Sequence, residues 1–336
     1  MILVTGGTGL VGAHLLYELA VKKIAVRATK RNSSDLQKVK NIFSYYSSSS
    51  EAESLFTSIE WVTADINNIP DLTKAFEGIT YVYHCAALIS FDPSDEKLLR
   101  KINIEGTANV VNLCIANQVS KLCYVSSIAT LDSNTVNEMV DENAGWNPER
   151  NHTDYSISKY GAEIEVWRAT QEGIDAVIVN PGVIMGPGIW ETGGGKIIDK
   201  IYKGLSFHFP KVTGFVGVYD VVNIMQELMN SSIKNEQFIV VAENLSFHRV
   251  FELTATALNK PKPHRALKKW MVFAGWIFQK IGSYFGLKRE ITRDAIEGVF
   301  KLTRYNNQKI KQALDLEFES LEEVINKTAN YYRRDK

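Results

Sequence analysis

A glycine-rich turn near the start of the chain limits what its first elements can become. It reads Thr5-Gly6-Gly7-Thr8-Gly9-Leu10-Val11-Gly12, directly after the apolar run Ile2-Leu3-Val4 and at the start of the helical stretch Leu10–Val21. Glycine tolerates positive φ and lets the backbone approach a ligand closely. The N-terminus of the following helix favours negative charge. Strand, glycine turn and helix together predict a cradle for a cofactor that contains a diphosphate.

Composition and charge exclude several other classes. Lys+Arg and Asp+Glu both total 38 in 336 residues, so we expect no nucleic-acid partner. Cys85, Cys114 and Cys123 lie in apolar segments without metal-ligand spacing, which favours buried reduced thiols and no metal site. The first strand begins almost at Met1, so we expect no signal peptide and a cytoplasmic protein.

Short apolar runs alternate with helical patterns in the first half of the chain. The strand candidates are Ile2–Val4, Ile24–Ala28, Ile59–Val62, Tyr81–Cys85, Leu122–Val125 and Ala176–Val179, and the helix candidates are Leu10–Val21, Leu72–Phe76, Glu96–Ala116 and Tyr155–Gln171. This alternation predicts an α/β fold with a Rossmann-type, doubly wound parallel sheet that binds ligands at the carboxyl ends of its strands. The serine-rich stretch Ser44–Ser54 is expected to be a mobile surface loop.

The pattern changes after about Pro181. Glycine and proline punctuate loops there, and helical segments dominate towards the C-terminus. We predict a cofactor-binding domain over residues 1–180 and a smaller, mostly helical substrate-binding cap over residues 181–336. Segments near 215–245, such as Phe238–Val241, are expected to return to the main sheet.

The end of the second strand candidate favours NADP over NAD. Folds that prefer NAD place an acidic residue near that point to bind the ribose 2′-hydroxyl. Here the segment continues Thr29-Lys30-Arg31-Asn32, and the first carboxylate is Asp35. The cations that suit a 2′-phosphate are Arg27, Lys30, Arg31 and Lys38. A charge run of this kind is also typical of a solvated surface.

Asp65-Ile66, just after the third strand candidate, has two interpretations. In the first, the carboxylate binds the amino group of an adenine ring and the backbone lies beside the ring edge. An aspartate at this position is equally typical of the turn that starts a helix.

Tyr155 and Lys159 lie four residues apart at the start of a helix candidate, so they share a helix face. A phenol ordinarily titrates near 10. A nearby ammonium and a positive nicotinamide stabilise the phenolate and lower that pKa. Such a tyrosine can exchange a proton with a hydroxyl or carbonyl while hydride moves to or from a nicotinamide.

Two hydroxyls end the strand candidate before this helix. Leu122-Cys123-Tyr124-Val125 is followed by Ser126-Ser127, at the sheet edge where a substrate should lie. One serine can donate a hydrogen bond to a substrate oxygen, although strand ends also favour serine for turns.

These motifs together resemble the extended short-chain dehydrogenases/reductases of the NAD-dependent epimerase/dehydratase superfamily. The motifs described above that show this resemblance are Thr5-Gly6-x-x-Gly9-x-x-Gly12, Tyr155-x-x-x-Lys159 and the strand-terminal serine. Further matches in the family's order are His84-Cys85-Ala86-Ala87, Asn103-Ile104-Glu105-Gly106-Thr107, Asn180-Pro181-Gly182-Val183-Ile184-Met185-Gly186-Pro187 and Tyr219-Asp220-Val221-Val222.

The resemblance is strongest to the dihydroflavonol-4-reductase-like and 3β-hydroxysteroid-dehydrogenase-like branch, and it implies a role for each matched position. Ser127, Tyr155 and Lys159 become the catalytic residues, and Arg31 and Lys38 the contacts to an NADP phosphate. The implied cofactor contacts are Thr5, Gly6, Thr8, Gly9, Leu10, Val11, Gly12, Arg31, Lys38, Asp65, Ile66, Ala86, Ala87, Tyr155, Lys159, Pro181 and Val183. Asn103 matches a position near the active site, with a helix cap as the alternative.

The resemblance implies an oxidoreductase that reduces a small-molecule ketone or aldehyde with NADPH, or oxidises a secondary alcohol. Sugar dehydratases place an Asp-Glu pair after the catalytic hydroxyl, whereas Ile128-Ala129 stand here. A nucleotide-sugar epimerase with tightly bound NAD is the alternative, because the same Ser/Tyr/Lys set can oxidise and reduce one carbon. A protein that binds NADP without catalysis has no need of all three side chains.

Two further regions bear on substrate and partners. The polar stretch Leu131–Asn151 is expected to shape the substrate pocket, with Met139 and Trp146 as contacts and His152 as a loop residue. The apolar segment Trp270–Leu287 is flanked by Lys268, Lys269, Lys288 and Arg289. It is interpreted either as a cap helix packed over the pocket or against a second subunit of a homodimer, or as a helix at a membrane surface through residues 268–289.

Overall fold

The computed structural model describes residues 1–132, 139–283 and 298–336. The described strands are β1 Ile2–Thr5, β2 Val26–Lys30, β3 Glu60–Thr63, β4 Tyr81–His84, β5 Lys121–Val125, β6 Met139–Val140, β7 Asp175–Pro181, β8 Val183–Met185, β9 Phe207–His208, β10 Val212–Gly217, β11 Glu236–Val240, β12 Glu243–Ser246, β13 Arg265–Ala266 and β14 Arg304–Tyr305. The described α-helices are α1 Leu10–Val21, α2 Leu36–Tyr46, α3 Ser49–Thr57, α4 Ile69–Ala75, α5 Glu96–Leu99, α6 Gly106–Ala116, α7 Asp154–Gln171, α8 Gly193–Tyr202, α9 Val218–Asn230, α10 Phe247–Ala257, α11 Lys269–Ser283, α12 Gln308–Leu314 and α13 Leu321–Asp335.

The main sheet has seven strands in the order β11-β7-β5-β4-β1-β2-β3, and its pairings are parallel. The chain winds outward from β1 in one direction through β2 and β3, and then in the other through β4, β5 and β7. A crevice therefore opens at the carboxyl ends of β1 and β4, the position where doubly wound sheets bind their ligands. The predicted Rossmann-type α/β fold is confirmed.

Helices cover both faces of this sheet, as buried parallel strands require. On one face α1, α2, α3 and α9 contribute to a core that includes Leu15, Phe43 and Met225. On the other face α4, α6 and α7 contribute to a second core that includes Phe76 and Val110. The carboxyl edge of the sheet stays accessible because both layers pack against its faces.

A smaller cap is built around the three-stranded sheet β12-β10-β8. Its core joins α8, α10 and α13 to that sheet and includes Ile198, Phe215, Val250 and Ile325. Between these cap segments the chain returns to the main sheet, where β11 pairs with β7. Within the described residues, no helix is both long enough and apolar enough to cross a membrane.

The prediction of a mobile loop over Ser44–Ser54 is wrong. Helix α2 runs to Tyr46 and α3 begins at Ser49, after Ser48 accepts a hydrogen bond from the Glu51 backbone N–H at 3.4 Å. The serine run followed by a glutamate is a helix N-terminus signal, and the buried Phe56 ties α3 to the core.

Several predicted boundaries shift by one to three residues, and two departures have clear local causes. The strand predicted from Ile24 begins at Val26, because Lys23 has a φ of 56° and the Ile24 N–H bonds to the Leu19 carbonyl at the end of α1. The helix predicted over Glu96–Ala116 is interrupted by a π-helical turn over Arg100–Glu105. Such turns are frequent at functional sites, and this one contains Asn103.

Substitution of Phe56 by alanine tests whether α3 is a packed helix. The ring lies 6.1 Å from that of Phe43 and 5.5 Å from that of Trp61, so we expect Phe56→Ala to lower the free energy of unfolding by about 3–5 kcal/mol. The control Ser54→Ala, on the exposed side of the same helix, should change it by less than about 0.5 kcal/mol. Equal, small effects in denaturant titrations would show that the segment is a solvated loop.

Candidate active site

The glycine turn after β1 is held by contacts that admit no side chain. A Cβ on Gly6, whose φ is +69°, would lie 2.6 Å from the backbone nitrogen of Ala86, just after β4. A Cβ on Gly12 would lie 2.3 Å from the carbonyl oxygen of Gly6. The turn is therefore compressed between β4 and the first turn of α1, which places the start of α1 at the crevice of the sheet.

The geometry of this turn fits a diphosphate. Gly9 is the N-cap of α1 and provides no side-chain hydrogen bond to the helix, so the first-turn N–H groups, which lack intrahelical partners, stay available. An added Cβ on Gly9 would have only the Gly6 oxygen within 4 Å, at 3.4 Å, and would extend into the space before the helix. Thr8 Oγ1 lies 3.5 Å from Ser34 Oγ at the rim of this space.

The cations near the end of β2 differ in their exposure and in their partners within the protein. Arg27 donates to both oxygens of Glu60 at 2.9 and 3.2 Å and to the carbonyls of Ala75 and Glu77, so the protein already holds its guanidinium, and a contact of Arg27 with a 2′-phosphate stays a prediction. Arg31 is exposed just after the carboxyl end of β2. Lys38 Nζ lies 2.8 Å from a carboxylate oxygen of Glu191, and this contact lowers the pKa of Glu191.

Asp65 and Ile66 follow β3 at the same edge. The Asp65 carboxylate is exposed and accepts a hydrogen bond from the Asn67 N–H at 2.9 Å, as a turn aspartate does. Ile66 is buried against Gly106, and its carbonyl accepts a hydrogen bond from Asn109 at 3.0 Å. The contact with adenine stays a prediction.

Four other predicted cofactor contacts lie at or just after the carboxyl ends of β4 and β7. Ala86 and Ala87 follow β4, where the Ala86 N–H lies 3.4 Å from Thr5 Oγ1. Pro181 ends β7 and Val183 begins β8. Gly182 between them admits no side chain, since a Cβ there would lie 2.4 Å from the carbonyl oxygen of Gly214.

Ser127, Tyr155 and Lys159 come together at the carboxyl end of β5. Ser127 begins a 3₁₀ turn over Ile128–Thr130, and its Oγ accepts a hydrogen bond from the Ala129 N–H at 3.1 Å. Tyr155 and Lys159 lie one turn apart on α7, whose N-cap Thr153 accepts from the Ser156 N–H at 3.1 Å. The two elements therefore direct three polar side chains to one point of the sheet edge.

Lys159 joins α7 to β5 from a buried position. Its side chain is 1 % exposed, and Nζ donates to Tyr124 Oη at 2.6 Å and to the Val125 carbonyl at 2.8 Å. Burial lowers the pKa of Lys159 to about 7, against the opposing charge effect of Glu163. The lysine is thus poised between its charged and neutral forms near neutral pH.

The pKa of Tyr155 differs from the expectation drawn from sequence. The phenol is partly exposed, but the protein around it raises its pKa to about 12 by burial, while a hydrogen bond with Ser127 acts in the lowering direction. The ammonium group of Lys159 is directed to Tyr124 and Val125 on β5 instead of to the hydroxyl of Tyr155. The protein's own side chains therefore keep Tyr155 protonated at neutral pH.

A buried carboxylate behind the site was missed in the sequence. Glu163, one turn beyond Lys159, accepts from Thr130 Oγ1 at 2.9 Å and from Asn180 Nδ2 at 2.7 Å. Asn180 Nδ2 also lies 3.2 Å from the Ser127 carbonyl. These contacts tie α7, β7 and the turn of Ser127 together. The spacing of Glu163 four residues after Lys159 was the available signal.

A second buried network supports the crevice itself. His84 bonds to Thr5 Oγ1 at 2.6 Å and to Thr107 Oγ1 at 2.9 Å, and burial lowers its pKa to about 3. Asn103 bonds to the Leu88 backbone and to Ser158 Oγ at 2.9 Å. Because Asn103 lies within the π-helical turn, its interpretation as a helix cap is wrong.

The residues suggested as substrate contacts are placed differently from one another. Trp146 stacks between His152 and Tyr160, with ring centroids 3.6 and 4.3 Å away. His152 is a packed residue whose Nε2 lies 3.4 Å from Asp132. Met139 is exposed on β6. Residues 133–138 of the proposed pocket loop lie outside the described residues, and contacts of Met139 or Trp146 with substrate stay predictions.

An aromatic side chain beside Tyr155 was also missed. The ring of Phe91 lies 5.7 Å from that of Tyr155, and Phe91 and Ile89 are exposed in the loop after β4. Only the tertiary structure brings this loop to α7, since the two segments are distant along the chain.

Comparison with known proteins assigns the family. A model of the NAD dependent epimerase/dehydratase family matches residues 2–239, and the chain belongs to this family. It is an NAD(P)-dependent enzyme of the extended short-chain dehydrogenase/reductase type, as its motifs predicted.

Relatives within the family carry out more than one reaction. A putative dihydroflavonol 4-reductase of Synechocystis sp. is 26% identical over 339 residues, covering 98% of this chain and 94% of that protein. UDP-glucose 4-epimerase of Vibrio cholerae is 25% identical over 305 residues, covering 85% of this chain and 82% of that protein. The crystal structure of gox2253 has the same fold, with a TM-score of 0.82, 24% identity and coverage of 100% of this chain and 98% of that one.

The lowered pKa of Lys159 leads to a stability prediction with a defined sign. Between its folded pKa of about 7 and the ordinary value of 10.5, the unfolded chain holds a proton that the folded protein lacks. Stability therefore rises with pH in this window. Relative to Lys159→Met, the wild-type protein should gain about 1.4 kcal/mol in the free energy of unfolding per pH unit from pH 7.5 to 9.5. A difference that does not change with pH, measured by urea denaturation, would contradict a lowered pKa.

Proposed function

We propose that the protein catalyses the NADPH-dependent reduction of a small-molecule ketone or aldehyde, or the reverse oxidation of a secondary alcohol. The observation that carries this proposal is the convergence of Ser127, Tyr155 and Lys159 at the sheet edge beside the glycine turn. The hydrogen bond between Ser127 and Tyr155 and the contact of Lys159 with the last residue of β5 hold the three groups together.

The protein's own groups provide the proton chemistry of a carbonyl reduction. NADPH, when bound, supplies the hydride that adds to the carbonyl carbon. Tyr155 Oη donates its proton to the carbonyl oxygen, and Ser127 Oγ donates a hydrogen bond to the same oxygen. With its pKa raised, Tyr155 is protonated at neutral pH and so holds the proton that the reductive direction transfers. Lys159, one turn away, is assigned two roles. It binds the cofactor ribose, and its positive charge stabilises the negative charge left on Tyr155 after proton transfer.

The surroundings of Tyr155 support a substrate with an apolar or aromatic body. Phe91 and Ile89 are 57% and 50% exposed, and the Phe91 ring faces the tyrosine at 5.7 Å. An apolar group of a substrate that covers them is stabilised by about 25 cal/mol per Å² of surface removed from water.

A nucleotide-sugar epimerase with tightly held NAD is the second candidate, since the family includes an epimerase relative. The two candidates differ in cofactor exchange. Mass spectrometry of cofactor carried through purification separates them: exchangeable NADP supports the reductase, and firmly retained NAD supports the epimerase. An NADPH-oxidation screen over ketones, aldehydes and nucleotide sugars then identifies the substrate.

Substitution of the phenol hydroxyl tests the assignment directly. We expect Tyr155→Phe to lower kcat by about 10²–10⁴ on the substrate found in the screen, because the proton donor is lost while the ring remains. Tyr160→Phe on the same helix is the matched control and should retain kcat within about twofold. Full turnover by Tyr155→Phe, measured by NADPH absorbance, would reject the mechanism.

Cofactor preference is tested at the end of β2. Arg31→Ala and Lys38→Ala should each weaken NADPH binding relative to NADH by about tenfold or more, since a hydrogen bond to a charged group contributes about 1.5–3 kcal/mol. Glu191→Gln should act in the opposite direction, because its carboxylate competes for Lys38. Lys40→Ala, which removes a surface ion pair with Glu53, is the control. Unchanged NADPH/NADH ratios in fluorescence titrations would remove these cations from the site.

A further inference from the structure

Helix α11 exposes a continuous apolar face. Its exposed side chains are Trp270 at 67%, Phe273 at 50%, Ile277 at 39%, Phe278 at 72% and Ile281 at 57%. At 3.6 residues per turn these five positions fall within an arc of roughly 140°, and Val272 on the opposite side is buried. Large apolar side chains grouped in this way mark a surface that binds something other than water.

The chain around this face is strongly basic. The segment from Lys260 to Ser283 contains no Asp or Glu, although the whole protein has a formal net charge of zero. Its cations are Lys260, Lys262, Arg265, Lys268, Lys269 and Lys280. Lys269 and Lys280 are exposed and fall along one border of the apolar arc. Lysines in such positions lie along apolar surface and extend their ammonium groups to an anion.

Charge distinguishes the occupants that this face could accept. A symmetric contact between two copies of the chain would place two basic segments against each other, and like charges oppose such an interface. A membrane with anionic lipids matches both properties, because the apolar face enters the acyl region while the lysines meet lipid phosphates. Tryptophan at one end of the face suits the boundary between water and lipid.

We propose that Lys269–Ser283 binds the protein peripherally to anionic lipid membranes, with Trp270, Phe273 and Phe278 inserted at the interface. The helix lies in the plane of the surface, and the lysines on its border contact the headgroups. This proposal is independent of the reaction catalysed, because it uses no residue of the crevice.

Co-sedimentation of the full chain with vesicles tests the proposal. We expect binding to phosphatidylcholine vesicles that contain phosphatidylglycerol, weaker binding to phosphatidylcholine alone, and a loss of the difference at high salt. The double variant Phe278→Ser/Ile281→Ser should bind at least about tenfold more weakly. Lys269→Glu/Lys280→Glu should weaken binding to the anionic vesicles selectively.

The matched control changes an exposed isoleucine and an exposed lysine of α4. Ile69→Ser/Lys74→Glu should bind as the wild type does, and circular dichroism should show that each variant is folded. If the apolar variant does not fold, the lysine variant decides the outcome.

Three results would overturn the proposal. The first is a wild-type protein that stays in the supernatant with anionic vesicles at low salt. The second is unchanged binding by the variants. The third is a dimer, seen by sedimentation velocity without lipid, that the α11 variants dissociate, because this result would assign the face to a second copy of the chain.

Discussion

The close backbone approach at the glycine turn sets the position of the other parts of the site. Gly6 packs against the end of β4 and Gly12 against Gly6 itself, at distances that no Cβ could share. This compression holds α1 with its N-terminus at the crevice between β1 and β4. The position of the glycine turn and of the start of α1 therefore follows from one steric constraint, and the parallel order of the strands places the end of β5 and the start of α7 at the same edge of the sheet.

Buried polar groups then fix Ser127, Tyr155 and Lys159 relative to that turn. Lys159 is hydrogen-bonded to β5, and Glu163 connects α7 to the Ser127 turn through Thr130 and Asn180. Groups of this kind are expensive to bury unless they are paired, so their contacts specify one arrangement of the helix and strand. The same burial lowers the pKa of Lys159 and raises that of Tyr155, which links the rigidity of the site to its proton chemistry.

Most of the main sheet was predictable because its strands are short apolar runs between helical patterns. The departures have local causes that the pattern hid. Ser44–Ser54 looked like a loop because serine is common in loops, but Ser48 caps α3 and Phe56 anchors it. Glu96–Ala116 looked like one helix because its periodicity continues, but the buried Asn103 reaches the Leu88 backbone from a π-helical turn.

The sequence by itself determined the family, the glycine turn and the spacing of Tyr155 and Lys159, because these depend on short-range geometry. It left open which of the cations near the end of β2 are paired with carboxylates of the protein. Only the tertiary structure showed that Arg27 is held by Glu60 while Lys38 meets Glu191. The tertiary structure likewise brought Phe91 to Tyr155 and left one side of α11 exposed, since contacts between distant segments and the burial of a helix face depend on how the whole chain packs.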